Sequence, residues 1–299
     1  MHVLSSALAA ALLIGASCTA GADNTPLAAV PPIDAGTTLL VVAPHPDDET
    51  LCCGGVIQRV LHAGGHVSVV WITSGDAERT GLLLIEHVVF TNPARARQFG
   101  LRRMAEARAA TSRLGVTAGG QLFLGYPDGG LRELLDGRRT AAYASQSTGA
   151  STVPYTDALF PGQPYSGENL EHDFATVLER VRPTLILAPS PEDSHPDHRA
   201  TGLLAIEVSR RGGMLARVRY WIVHGGEGWP SPRGLVAGIP LSPAPRSRGL
   251  DPAPFAVLPA EEDGKLHALE AYDTQMRLMA PFLLAFVRTT ELFSVRATP

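Results

Sequence analysis

A chain of 299 residues, 45% hydrophobic and 18% charged, has the balance of an ordinary globular protein and suffices for one domain with at most a small annex. Its net charge of −4, its low aromatic content and the lack of any basic run argue against nucleic acid as a partner, because phosphate binding needs clustered Lys and Arg. Three cysteines, Cys18, Cys52 and Cys53, exclude a disulfide framework.

The first 22 residues carry no Asp, Glu, Lys or Arg. Their core, ALAAALLIGA, is too short to span a bilayer and fits a signal peptide, although the usual basic start is missing. The small-x-small triplet AGA at 20–22 places cleavage before Asp23, and Cys18 offers lipid attachment as the alternative. Export to the periplasm or beyond is the expectation, with no transmembrane span. Residues 23–36, with three prolines, read as an extended linker, and 37–290 as the folded domain.

Within that domain TTLLVVAP (37–44) is a continuous apolar run, the pattern of a strand buried on both faces. A helix is expected over 48–65, closed by Gly64 and Gly65, and a second strand over 66–73. Strand, helix and strand in so short a span make a βαβ unit and hence a parallel sheet. Helices follow at 96–116, 169–183, 198–211 and 261–287, the last kinked or ended before Pro281. Strands follow at 121–125, 184–189 and 217–225. The reading is an α/β fold: a Rossmann-like open, mainly parallel sheet with helices on both faces. Residues 126–168 look like a long surface excursion, and 226–257 are proline-rich; loops of this length act as lids or substrate walls.

In such sheets ligands bind beyond the carboxyl ends of the strands. PHPDDE (44–49) lies there, after the first strand, and HPDH (195–198) after the strand at 184–189. Both contain His-Pro-Asp. Two histidines and one carboxylate from these motifs make three ligands and leave a coordination position for water, the pattern of a catalytic metal site. Zinc is the first choice, with iron, nickel or cobalt open at an N/O site. His224 ends the strand at 217–225 and is placed on the substrate side, and TSGD (73–76) ends the second strand at the same edge. His62, His66, His87, His172 and His267 have no partner spacing. Cys52 and Cys53 are adjacent, too close for ordinary disulfide geometry, and are expected to pack as small apolar residues. GG at 54–55 is not part of a dinucleotide fingerprint, and no G-x-S-x-G elbow is present.

PHPDDE with a later HPDH resembles the PIG-L/LmbE-like metal-dependent N-acetylglucosaminyl de-N-acetylases, from about residue 37 to about 280. The resemblance implies His45, Asp48 and His198 as metal ligands and Asp47 as general base. It implies His195 as the group assisting the oxyanion or the leaving amine, oriented by Asp197. It also implies substrate contacts by the Arg103-x-x-Glu106 helix, by Asp128 in YPDGG and by Gln275. The chemistry is coherent: a divalent metal activates water and polarises an amide carbonyl, Asp47 takes the water's proton, and protonated His195 supports the oxyanion. Asp48 loses its repulsion toward its neighbours by binding the metal, and Glu49 complements the dipole of the helix it begins.

The expected function is therefore removal of an acetyl or other acyl group from an amino sugar or glycoconjugate. The alternatives are an amidase for a larger acyl amide or thiol conjugate, a non-catalytic metal- or carbohydrate-binding protein, and an Fe(II) oxygenase using two histidines and a carboxylate.

Overall fold

The computed structural model describes residues 29–84 and 92–298. The proposed leader and Cys18 lie outside the described residues, as do residues 23–28 of the expected linker and His87. Of that linker, Ala29 and Val30 are buried against the core.

Five strands form one parallel sheet: β1 (Thr38–Ala43), β2 (His66–Thr73), β3 (Gln121–Tyr126), β4 (Leu185–Pro189) and β5 (Val218–Trp221). All five strands expected from the sequence are present. Their order is β3-β2-β1-β4-β5. The chain thus winds outward from β1 in one direction, then returns to add β4 and β5 on its other side. The switch point between β1 and β4 opens the crevice in which ligands of such sheets bind. Leu39 to Ala43 are fully buried, which explains their unbroken apolar run.

Helix α1 (Asp48–His62) connects β1 to β2. Next come α2 (Arg79–Leu84), α3 (Pro93–Arg113), α4 (Leu131–Asp136), α5 (Gly167–Val181) and α6 (Pro196–Arg211). Right-handed crossovers on opposite sides of β1 put α1 and α6 on opposite faces of the sheet. No described helix is long and apolar enough to cross a membrane.

After β5 the chain forms a short strand, β6 (Ala253–Ala256), two helices, α7 (Pro259–Leu269) and α8 (Asp273–Leu283), and β7 (Thr290–Phe293). β6 and β7 pair antiparallel, so folded chain continues past residue 290. The expected single helix over 261–287 is two helices, and α8 bends at Met279, whose φ is −143°. Pro281 causes that bend, since its ring cannot continue a regular helix.

The glycine pair in α1 is a packing device. A Cβ on Gly55 would stand 2.8 Å from Val257, and one on Gly54 3.0 Å from Lys265 on α7. Glu291 of β7 uses this close approach. It accepts the backbone N–H groups of Gly55 (2.8 Å) and Val56 (3.1 Å) and pairs with Lys265 Nζ at 2.7 Å.

Two expectations need correction. Residues 126–168 are not a surface excursion: Tyr143, Tyr155 and Tyr165 are buried in the core, and Tyr165 donates to the carbonyl of Gly125 at 2.9 Å. Alternation with small and polar residues hid these anchors. Cys52 and Cys53 are joined in a vicinal disulfide. The expectation weighed only the usual Cα separation, and the structure closes the smaller ring at a Cα distance of 3.8 Å.

Candidate metal centre and active site

The loop after β1 and the loop after β4 meet at the switch point. Asp47 is the cap position of α1, so Asp48 and Glu49 occupy its first turn. His195 is the cap of α6, and its Nδ1 accepts the N–H of Asp197 at 3.2 Å. Pro196 follows at the first helical position, where its missing N–H costs nothing. His198 then sits one turn into α6. The two His-Pro-Asp motifs stand differently to their helices: the first precedes α1, with Asp47 as its cap, and the second opens α6, with His195 as its cap.

The Asp48 carboxylate joins the two expected histidine ligands. Asp48 Oδ2 lies 3.3 Å from His45 Nδ1 and 3.2 Å from His198 Nε2. Ligand atoms on a tetrahedral ion with bonds of ~2.0–2.1 Å stand ~3.3 Å apart, so these separations suit a shared ion. His198 Nε2 is fully buried and faces Asp48. Its ring is fixed from the other side by Asp193, whose Oδ2 stands 3.2 Å from Nδ1. His45 is held in the same way: its Nε2 lies 3.2 Å from Asp128 Oδ1 and 3.4 Å from Asp197 Oδ2. Carboxylates behind both imidazoles fix the ring orientation and leave one nitrogen of each for a metal.

Electrostatics agree with this donor set. Burial alone would lower the pKa of His198, but the carboxylates of Asp48 and Asp193 outweigh it and carry it up to about 9. His45 is likewise raised against its burial by Asp128, Asp197 and Asp48. Asp48 lies well below the usual carboxylate range, its burial outweighed by His198 and His45. The pocket therefore favours positive charge at its centre, and a divalent ion on nitrogen and oxygen donors fits the residues present. Three groups drawn from these side chains have donor atoms within 4.8 Å of one another: His45, His195 and His198; Asp48, His198 and His224; and His45, Asp128 and Asp197.

Asp47 stands beside the cluster in the same cavity. Burial, opposed by Arg103 and reinforced by Asp48, pushes its pKa up to about 8. Arg103 donates through Nη2 to Asp47 Oδ2 (3.2 Å) and to the carbonyl of Pro46 (2.6 Å), and through Nη1 to that of Gly75 (3.1 Å). The arginine expected to bind substrate thus holds the loop of Asp47. Glu106, one turn later on α3, accepts from Thr274 at the start of α8.

Two further expectations change. The carboxylate of Asp197 does not orient His195. It faces His45 and accepts the N–H groups of Gly129 (2.7 Å) and Leu131 (3.4 Å), because the first turn of α6 directs it toward the β3–α4 turn. His195 is not set up to be protonated: its Nδ1 accepts a hydrogen bond, and burial, with His45, His198 and His224 nearby, depresses its pKa strongly. With Nδ1 occupied as an acceptor, Nε2 is the nitrogen left to face the cavity.

The cavity has a volume of about 340 Å³. His224 lines it, stacked on Phe282 of α8 with ring centroids 5.7 Å apart. Gln275 and Met279 of α8 complete that wall, and Asp128, held by Ala77 N at 2.8 Å, stands opposite with Glu78. Asp76, from TSGD, lies behind it and accepts from Tyr155 and Ser147 of the 126–168 segment. A depression of about 400 Å³ lined by Leu135, Arg139, Leu203 and Glu207 shares no residue with this cavity. Asp193 was missed from the sequence although it stands two residues before His195. Met279 and Phe282 had no legible signal.

A profile of the PIG-L family, GlcNAc-PI de-N-acetylase, matches residues 40–209. The chain is 28% identical over 275 residues to a 1D-myo-inositol 2-acetamido-2-deoxy-alpha-D-glucopyranoside deacetylase of Kribbella flavida, covering 82% of this chain and 84% of that protein. It is 25% identical over 179 residues to a diacetylchitobiose deacetylase of Thermococcus kodakarensis, covering 59% of this chain and 50% of that one. Among solved structures, a deacetylase from the teicoplanin biosynthesis pathway superposes with a TM-score of 0.55 at 19% identity, covering 86% of this chain and 96% of that one. With the profile match spanning more than half its length and both motifs, the chain belongs to the PIG-L family of de-N-acetylases.

Proposed function

We propose that this protein hydrolyses the amide of an N-acetylated amino sugar or glycoconjugate, using a divalent metal held by His45, Asp48 and His198, with zinc the first candidate. The observation that carries this reading is that one oxygen of Asp48 stands 3.3 Å from His45 Nδ1 and 3.2 Å from His198 Nε2, beside a cavity that Asp47 also lines. A relative's deacetylation of an inositol-linked acetamido sugar and another's of diacetylchitobiose support the substrate class. Residues 1–22, read as a leader, support export.

The metal, when bound, supplies Lewis acidity: it lowers the pKa of water and polarises a carbonyl oxygen. Asp47 accepts the proton of the attacking water. With its pKa near neutrality it also returns that proton to the amide nitrogen as the C–N bond breaks, yielding a carboxylate and an amine. Neutral His195 donates its Nε2–H to the oxygen on which charge develops. Arg103 fixes the direction of Asp47. Asp128 and His224 flank the sugar side.

Leu51, Met279 and Phe282 give the cavity an apolar wall, which supports a second reading in which the acyl group is longer than acetyl. A release assay separates the two. Metal-loaded protein meets free N-acetylglucosamine, chitooligosaccharides, an inositol conjugate and matched N-butyryl and N-octanoyl analogues, with metal-binding variant His198→Ala as control. Release from the acetyl compounds supports the first reading. Release from the longer amides alone supports the second, and release by His198→Ala at the parent rate contradicts both.

A further inference from the structure

We infer that Glu49 is a positioning residue for Asp47: it fixes the backbone that aims the base and ties it to the helix walling the substrate cavity. This rests on Asp47 being the base.

Asp47 has φ 119° and ψ −33°, a conformation that side-chain-bearing residues rarely adopt. Such backbone persists only where its surroundings enforce it, and it concentrates at functional sites. Here the enforcement is visible. The carbonyl of Asp47 accepts from Thr50 N and Leu51 N, each at 3.0 Å. Its N–H donates to Glu49 Oε2 at 3.2 Å.

Glu49 has no exposed surface, and four groups donate to its carboxylate. Besides Asp47 these are Trp71 Nε1 at 2.9 Å, the Thr50 hydroxyl at 2.5 Å and the Tyr272 hydroxyl. A carboxylate that only complements a helix dipole needs neither burial nor four donors. One donor is the strained residue itself, one comes from β2, and one, Tyr272, immediately precedes α8. That helix carries Gln275, Met279 and Phe282, which line the cavity. A second carboxylate repeats the pattern: Glu106 holds Thr274, while Arg103, one turn earlier on α3, holds Asp47. The base and the substrate wall are thus tied together twice, through α1 and through α3.

The test uses metal-loaded full-length protein with Glu49→Ala and Glu49→Gln. Acetate-release kinetics, metal content and exchange of the Asp47 amide, resolved by residue, are read on the same samples. Misplacement of a catalytic group by about an ångström costs ~100-fold in rate, so Glu49→Ala should lose ~10- to 100-fold in kcat, with KM within ~3-fold and metal retained. Asp47 exchange should rise at least ~10-fold while β1 stays protected. Glu49→Gln should recover to within ~5-fold of the parent. Its carbonyl can accept from Asp47 and Trp71, and the two hydroxyls can turn to accept from its amide.

A Glu49→Ala kcat within ~3-fold of the parent overturns the inference, as does unchanged Asp47 exchange or a rate loss that only tracks lost metal. Should Glu49→Ala not fold, Tyr272→Phe decides: kcat lower by at least ~3-fold with metal retained supports the tie to α8, and an unchanged kcat overturns it. If the parent releases no acetate, the base assignment fails, and Asp47 exchange alone decides whether Glu49 holds that backbone.

Discussion

Asp193 Oδ2 stands 3.2 Å from His198 Nδ1 and also accepts the backbone N–H groups of Val223 and His224, each at 2.9 Å. One buried oxygen therefore fixes the ring of a proposed ligand against the end of β5. Asp193→Asn keeps an acceptor but loses the charge that sets the ring's basicity. It should weaken metal affinity by ~10- to 100-fold, measured by competition with a chelating dye. Unchanged affinity would show that His198 is held by packing alone.

Asp47→Asn keeps the size of the side chain and removes its basicity. Metal content should equal that of the parent, and kcat should fall by ~10²- to 10⁴-fold. Metal analysis beside steady-state kinetics checks both. A full rate in the variant would move the base to another group.

Asp76 connects the cavity to stability. Burial, with repulsion from Asp128, raises its pKa from 3.8 to about 7 despite the hydroxyls of Tyr155 and Ser147. An acid whose folded-state pKa is raised binds more protons folded than unfolded between those two values. Its contribution is therefore favourable below the unfolded value and is lost as pH rises toward about 7. Asp76→Asn removes this dependence, so Tm should fall less steeply than in the parent between pH ~4 and ~7. Glu49 and Glu106, also raised mainly by burial, leave part of the slope in place. Identical slopes in thermal melts across that range would contradict the assignment.

Lys265 and Glu291 form a buried pair, each side chain only 1% exposed. Lys265→Met leaves the Glu291 charge without its cation and should destabilise the protein by about 3 kcal/mol. Adding Glu291→Gln should recover part of that loss, because the backbone N–H groups of α1 keep an acceptor. Chemical denaturation of both variants measures it.

Much of this architecture is legible in the chain. β1 reads from Leu39–Ala43 because burial on both faces leaves no polar position. His45, Asp48 and His198 read because each His-Pro-Asp follows an apolar strand and so falls at the carboxyl edge of the sheet. What escapes is set by distant contacts. β6 and β7 are four-residue strands separated by two helices, with no local signal for pairing. The buried tyrosines of 126–168 are spaced by turns rather than by a period. The partner of Asp197 depends on the direction in which α6 leaves its cap, which no spacing rule contains. Asp193 stands two residues before HPDH, but an Asp near two histidines does not say from sequence which it holds.

The central claim is tested most directly by acetate release from an N-acetylglucosamine conjugate before chelation, after exhaustive removal of metal, and after zinc is restored. Release should stop on chelation and return with one metal per chain. Release that survives complete removal of metal would contradict it, as would a chain that binds one metal and hydrolyses no N-acyl amino sugar.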